Sequence, residues 1–166
     1  MTLVNAFVIS RVDYCNGVLA LCPKTVLDKL QSVLNAAART VLQLDRSVHV
    51  LRRLVRDTLH WLRVPERVAY KLCTLTWKAL HGLGPSYLAD VCKSVQSCEI
   101  RSHLRSASEW KLLVPRHKLS TYGPRAFAHA GPATWNSLPA RLRNPESSDP
   151  DFCSGLKTYL FGLSYG

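Results

Sequence analysis

The sequence predicts a mainly α-helical protein: a helical bundle of about five helices, then an irregular basic arm, then a short C-terminal helix. Two stretches carry that reading. Leu27, Leu30, Leu34, Ala37, Val41 and Leu44 step by three and four, the spacing that lines one face of a helix. Val64, Val68, Leu72, Leu75 and Ala79 form one row of a second helix, and Tyr70, Cys73, Trp77 and Leu80 form another. A helix apolar over so much of its circumference is the buried hub of a bundle. Against these, Leu112-Leu113-Val114 is the only strand-like run, and it is short.

The elements follow in order. Thr2 to Leu19 reads as a helix with Val4, Phe7, Val8, Val12, Cys15 and Leu19 on its apolar side. An uncapped apolar start at Met1 suggests a chain that begins inside a longer fold. Cys22-Pro23 interrupts, and Thr25-Val26-Leu27-Asp28 resembles a capping box for the second helix. That helix carries a narrow seam, Ala36-Ala37-Ala38 for close approach, and Asn35 and Arg39 one turn apart on another face. Ser47 to Leu59 is a third helix, with Arg52, Arg53 and Arg56 on its polar side. Pro65 to His81 is the fourth, with proline suited to its first position. Gly82, Gly84 and Pro85 end it, and a fifth helix spans Pro85 to Ser97.

After Cys98 the texture changes, which divides the chain into 1–98, a helical bundle, and 99–166, a basic extension with short helices. Between Arg101 and Arg143 stand eight Lys and Arg residues, one acid (Glu109), three histidines and four prolines. Within this arm, Thr121 to Arg143 breaks twice at Gly-Pro, at Gly123-Pro124 and Gly131-Pro132. Each break reads as a turn followed by a helix that opens on proline. Phe127 and Trp135 would anchor the two short helical turns, leaving Arg125, Arg141 and Arg143 facing outward. Glu146 to Asp151 reads as a polar hinge, and Phe152 to Phe161 as the last amphipathic helix.

The chain has 22 Lys and Arg against 11 Asp and Glu, a formal net charge of +11. That excess favours polyanionic partners, RNA or DNA first. No apolar run approaches the ~18 residues of a membrane span, and no secretory leader is visible; the expected setting is intracellular, nuclear or cytoplasmic, with no membrane partner. The six cysteines form no C-x-x-C and stand at no zinc-finger spacing to a histidine. No metal or cofactor is expected in this chain.

Catalytic readings find little support in the residues. Metal-dependent nucleotidyl transfer needs converging carboxylates, and the one close pair, Asp149 and Asp151, lies in the polar hinge. There is no Gly-x-Ser-x-Gly elbow and no Gly-rich phosphate loop. Polyanion binding fits better. Arg63, Arg67, Lys71 and Lys78 lie within ~80° of arc on the fourth helix at ~100° per residue. The arm interleaves Arg101, Arg105, Arg116, Lys118 and Arg125 with Trp110, Tyr122 and Phe127, cations for a phosphate backbone beside rings able to stack. Trp61, Trp77 and Trp135 read instead as core anchors.

Several blocks in register resemble one family. They are Phe7-Val8-Ile9-Ser10-Arg11-Val12-Asp13-Tyr14-Cys15-Asn16, Asn35-Ala36-Ala37-Ala38-Arg39, Leu59-His60-Trp61-Leu62 with Glu66-Arg67, and Leu80-His81-Gly82 with Pro85-Ser86-Tyr87-Leu88. Leu104-Arg105-Ser106-Ala107, Arg125-Ala126-Phe127, Ala130-Gly131-Pro132 and Trp135-Asn136-Ser137-Leu138-Pro139 continue the order. Together they resemble the C-terminal part of non-LTR, LINE-type (jockey-group) retrotransposon reverse transcriptases, over nearly the whole chain. The resemblance implies a thumb that grips template and nascent strand, followed by a basic extension. It makes Arg11, Arg39, Arg67, Lys71, Arg105, Arg116 and Arg125 candidates for backbone contacts, and gives Asp13, Tyr14, His60, Trp61, Trp135 and Asn136 the task of shaping the fold. The family's palm, with its Mg2+-binding aspartates, and its endonuclease lie outside this sequence, so the expectation is an RNA-directed DNA polymerase fragment that catalyses nothing alone. Arg63-Val64-Pro65 stands where the family reads Pro-Val, a departure that also fits a relic reading frame. The alternative class is a helical protein-interaction module whose exposed apolar seams bind a reverse transcriptase palm or another chain.

Overall fold

The computed structural model describes residues 2–45, 47–97, 110–117, 119–144 and 146–166. Among these the protein is mainly α-helical, with no strand and one isolated antiparallel bridge between Ser94 and Leu112. The chain opens with α1 (Thr2–Val4), a π-helical segment (Asn5–Ile9) and α2 (Ser10–Asp13), then a 3-10 turn (Asn16–Leu19). α3 (Lys24–Leu42) follows, then α4 (Leu51–Leu54) running into a second π-helical segment (Val55–Leu59). α5 (Val64–Leu80) is the hub, and α6 (Ser86–Ala89) is a single turn after it. A 3-10 turn (Gly123–Arg125), α7 (Phe127–Asn136), a 3-10 turn (Ala140–Leu142) and α8 (Asp149–Tyr165) complete the order.

α5 is covered from several directions. α7, α8, α3, α6 and the Asn16–Leu19 turn all pack against it. Its buried residues are Val64, Val68, Leu72, Cys73, Thr76, Trp77 and Ala79, drawn from both predicted rows. The largest core cluster joins Leu62, Cys73, Trp77 and Cys92 to Leu112, Trp135, Phe152, Leu156 and Leu160. That cluster takes side chains from both sides of position 98, so α7 and α8 complete the bundle's core. Trp77 and Phe152 stack at 5.6 Å between ring centroids, and Trp135 meets Phe152 at 5.7 Å.

Several local expectations shift, each for a physical reason. The N-terminal helix buries Val12 and half-buries Val4, Val8 and Ile9, while Phe7 is 71% exposed. Phe7 lies within the π segment, whose wider turn breaks the α period, and Cys15 lies past the end of the helix at Asp13, with φ 52° after an extended Tyr14. α3 begins before the proposed capping box: Pro23 is its N-cap, and Asp28 pairs with Lys24 at 2.6 Å. The seam of α3 is centred on Leu34, Ala37 and Ala38. The fifth helix stops at Ala89 because residues 93–95 pair with 111–113: Val95 N–H donates to Lys111 O at 3.0 Å and Leu113 N–H to Lys93 O at 2.8 Å. This pairing spans a long sequence separation and is invisible to a local pattern.

The Gly-Pro element also differs. Gly123-Pro124 does open a 3-10 turn, but Gly131-Pro132 lies inside α7 and starts no helix. A Cβ on Gly131 would stand 3.0 Å from the Phe127 ring and 3.1 Å from Thr76 Oγ1. Glycine here is what lets α7 lie close on α5. Arg143, expected outward, is buried and donates to Asn136 O at 2.9 Å. The polar hinge is the start of α8: Ser148 is its N-cap and accepts from Asp151 N–H at 3.3 Å. The C-terminal helix is accordingly longer than Phe152 to Phe161, and Asp149 and Asp151 sit in its first turn, where carboxylates complement the helix dipole.

Asn136 fixes the crossing segment. Its Nδ2 donates to Leu112 O at 2.8 Å and its Oδ1 accepts from Leu112 N–H at 2.8 Å, while Trp135 Nε1 donates to Trp110 O at 3.0 Å. Replacing Asn136 with alanine strands both backbone groups of the buried Leu112. We expect Asn136→Ala to lose about 2–4 kcal/mol of unfolding free energy, one stranded donor and one stranded acceptor, measurable by urea denaturation. A second expectation concerns alkaline pH. Burial pushes the Cys73 thiol up to about 12 and the Cys92 thiol up to about 11 from an ordinary 9.0, and the Tyr70 phenol up to about 12 from 10.0. The unfolded chain then releases protons that the folded chain keeps. Stability is untouched by these groups below pH 9.0 and falls as pH rises from there towards about 12, as denaturation midpoints across that range will read.

Candidate nucleic-acid interface

The cations predicted to share one face of α5 do not form one strip, because each meets a different neighbouring element. Arg67 is held internally: its Nη1 lies 2.7 Å from Asp13 Oδ2 and its Nε donates to Leu62 O at 2.8 Å. Its side chain is only 12% exposed, so it ties the N-terminal helix to the hub. Lys78 lies 3.9 Å from Asp149 at the start of α8. Lys71 lines a cavity of about 610 Å³ together with Asp13, His60, Arg67, Tyr70 and Lys157. Arg63, the N-cap of α5, faces away from these.

Arg63 instead meets Arg39. The two line a cavity of about 270 Å³ with Arg52, His49, Asn35 and Tyr165. Five separate stretches build it: α3 gives Asn35 and Arg39, the following turn gives His49, α4 gives Arg52, the approach to α5 gives Arg63, and the end of α8 gives Tyr165. α3 is registered on α5 by Gln31, whose Oε1 accepts from Val64 N–H at 3.0 Å. Arg52 donates to Ser164 O at 2.9 Å, and its guanidinium lies over the Tyr165 ring at 6.0 Å. Arg39 Nε is buried without a hydrogen-bond partner among the described residues. A neighbouring cavity of about 310 Å³ shares His49, Arg52 and Tyr165 and adds Arg53 and Arg56. Among the described residues, no carboxylate side chain lines either cavity.

Acids stand close by: Asp57 pairs with Arg53 and Arg56, and Glu66 acts electrostatically on Tyr165. Asp57 accepts from Arg56 at 2.6 Å, and that hydrogen bond holds its carboxyl below the usual range, with Arg53 adding to the effect. Burial pushes the Tyr165 phenol up; Arg63, Arg52 and Arg67 oppose this and Glu66 reinforces it. The phenol donates to Trp61 O at 2.8 Å.

The other predicted residues are dispersed. Arg11 and Arg116 are exposed, and Arg125 lies half-buried over the exposed Tyr122 ring at 5.7 Å. Arg105 and Lys118 fall outside the described residues. Of the shape-giving set, Trp61 and Trp135 are buried, Asn136 clamps Leu112, and Asp13 holds Arg67. Tyr14 is 78% exposed. His60 has an exposed side chain, and its backbone takes φ 51°, capping the second π segment. Arg52, His49 and Tyr165 complete the basic cavity but were not among the candidates. Their only sequence signal is the arginine crowding on α4, since Tyr165 arrives from the far end of the chain.

Among the described residues, no group of three or more His, Cys, Asp or Glu is placed to hold a metal ion, and no helix is long and apolar enough to cross a membrane. No protein-family model, curated protein or solved structure matches the chain.

The Asp13–Arg67 pair gives a test that separates structural from surface cations. Arg67→Met leaves the half-buried Asp13 carboxylate with only the 3.5 Å hydrogen bond from Asn16 Nδ2, and the Leu62 carbonyl without its guanidinium donor. We expect a loss of about 2–4 kcal/mol in unfolding free energy, whereas Arg116→Met, at an exposed position, changes stability by less than about 0.5 kcal/mol; thermal or urea denaturation of both variants reads the contrast.

Proposed function

We propose that this chain is the thumb and C-terminal extension of a non-LTR, LINE-type reverse transcriptase, a helical fragment that binds RNA or DNA backbone without base specificity and carries no catalytic centre of its own. The family reading rests on the ordered residue blocks from Phe7 to Pro139. The binding reading rests on one observation above the others: Arg39, Arg52 and Arg63, from separate stretches of the chain, line one cavity that no carboxylate among the described residues lines. Like charges brought together without a counter-charge repel, and a phosphate-bearing partner removes that repulsion.

The adjoining cavity adds Arg53 and Arg56, which share the exposed Asp57 as counter-charge and so keep a net positive charge between them. Arg67 is excluded from the binding set by its pairing with Asp13. The retained candidates are Arg39, Arg52 and Arg63 at the cavity, with Arg53, Arg56, Lys71, Arg11, Arg116 and Arg125 as peripheral charges. Neither RNA nor DNA is preferred by groups that meet only phosphate.

A second reading, binding of another protein chain such as the missing palm, draws on a separate surface. Leu21, 66% exposed, stands on an apolar groove of about 490 Å³ with Leu27, Pro65, Leu72 and Ala133. Leu3, Phe7 and Val18 are also largely exposed nearby in the sequence.

Filter binding or fluorescence anisotropy across a salt series tests the first reading. With about three to five phosphates neutralised, log K should fall against log salt with a slope of about −2 to −4 on a single strand. Arg39→Ala and Arg63→Ala should each weaken binding to all sequences alike and flatten that slope by about one. Affinity that ignores salt, or no affinity at all, rejects the proposal. A monomer that binds hydrophobic dye and no nucleic acid favours the second reading.

A further inference from the structure

We propose that the cavity lined by Arg39, Arg52 and Arg63 is a receptor for a terminal phosphate monoester, the phosphorylated end of a nucleic-acid strand, in preference to the phosphodiesters within it. This rests on the backbone-binding reading and narrows it to one site and one ligand group.

The hydrogen-bond network fixes what the cavity offers. Val64 N–H is a donor only, so the Gln31 atom facing it is the carbonyl Oε1, 3.0 Å away. Gln31 therefore turns its Nε2 to Asn35, whose Oδ1 accepts at 3.0 Å. Asn35 is left presenting its NH2 group, with one of the two lone pairs of its Oδ1 taken by Gln31. The guanidiniums of Arg39, Arg52 and Arg63 are donors without exception, and Arg39 Nε is a buried donor with no acceptor among the described residues. Tyr165 has its hydroxyl hydrogen engaged by Trp61 O. Apart from that phenolic oxygen, the His49 ring and the second lone pairs of the two amide oxygens, the unused hydrogen-bonding groups of the polar side chains lining the cavity are donors. Such a lining selects an anion rich in acceptor oxygens.

Charge selects among anions. A phosphodiester carries a single negative charge shared by two free oxygens, which one arginine can satisfy. A monoester carries about −1.5 to −2 near neutral pH and presents three strong acceptor oxygens, the better match for three guanidiniums around one cavity. The volume of about 270 Å³ is large enough for a phosphate group and small for a nucleotide with its base. The neighbouring cavity shares His49, Arg52 and Tyr165 and adds Arg53 and Arg56, whose common partner Asp57 makes it the weaker of the two anion sites.

The test uses the full chain and internally labelled oligonucleotides of one sequence bearing a 5′-phosphate, a 3′-phosphate, or hydroxyls at both ends, compared by anisotropy at matched ionic strength. At least one phosphorylated form should bind about tenfold tighter than the hydroxyl form, the gain of one added set of charge-assisted hydrogen bonds; which form gains identifies the end recognised. Inorganic phosphate should displace that form more effectively than the monoanionic diester dimethyl phosphate. Arg39→Gln and Arg63→Gln should each reduce the discrimination between ends to about twofold or less, the loss of one charge-assisted contact, with an unchanged circular dichroism spectrum. Equal binding of all three oligonucleotides, with salt dependence retained, overturns the end-recognition site and leaves backbone binding standing. An end preference that persists in both variants also overturns it, because the added charge is then sensed elsewhere. Absence of binding at low salt overturns both proposals. The comparison of oligonucleotide ends needs only the unaltered protein, so it decides the matter even if a variant fails to fold.

Discussion

The structure depends on covering α5. A helix whose Val64, Val68, Leu72, Cys73, Thr76, Trp77 and Ala79 are all buried cannot stand at the edge of a bundle; it needs neighbours on most of its circumference. The chain supplies them from its whole length: the turn at Asn16–Leu19, α3, α6, α7 and α8 all reach the hub. Even Gly131 serves this end, since a Cβ there would crowd the Phe127 ring and Thr76 Oγ1. The segment beyond position 98 is therefore structural at its C-terminal end. Phe152, Leu156 and Trp135 are among the most completely buried side chains in the protein, and without them one side of α5 would be bare.

The same covering decides which cations remain available. Four basic residues share one face of α5 in sequence, yet the elements laid over that face give each a different fate. Asp13 on α2 reaches Arg67, Asp149 on α8 approaches Lys78, and Lys71 is left at the mouth of a mixed cavity. Arg63 alone turns towards other arginines. Helical periodicity places residues on a face of one helix; it carries no information about what packs there. An arginine row is in that sense less informative than one arginine whose neighbours are known. Of the net charge of +11, the functional part is the fraction that folding brings together unpaired.

The bundle was legible because its signals are local. The seam of α3, the double apolar rows of α5 and the proline at the start of α5 all act within a few residues, and those helices stand close to where the periodicity puts them. The misreadings share a different cause. Pairing of 93–95 with 111–113, and the clamp of Asn136 on Leu112, join residues far apart in sequence, and the fifth helix is cut short by that pairing. The π segment at Asn5–Ile9 changes the period itself, so counting by three and four misassigns Phe7. The basic cavity was half legible: Arg39 and Arg63 stand out as polar residues beside apolar seams, but Arg52 and Tyr165 join them only through the packing of α4 and the end of α8.

Arg63 itself argues for an anion at this place. It is the N-cap of a 17-residue helix, where Ser, Thr, Asp or Asn is preferred, and it provides no side-chain cap. The helix N-terminus carries a partial positive charge, so a cation there is disfavoured. Glu66 in the first turn answers the dipole, but Arg39 and Arg52 across the cavity add to the positive potential. Gln31 takes up the Val64 N–H, which settles the backbone and leaves the charge unanswered. Sequences agree with their folds at most positions, and the places where local preference is violated without a structural return tend to be binding sites. Arg63 makes no ion pair among the described residues and is unfavourable for the helix it begins. A phosphate in the cavity turns that liability into an attraction, because the helix dipole and the three guanidiniums then act on the ligand with the same sign.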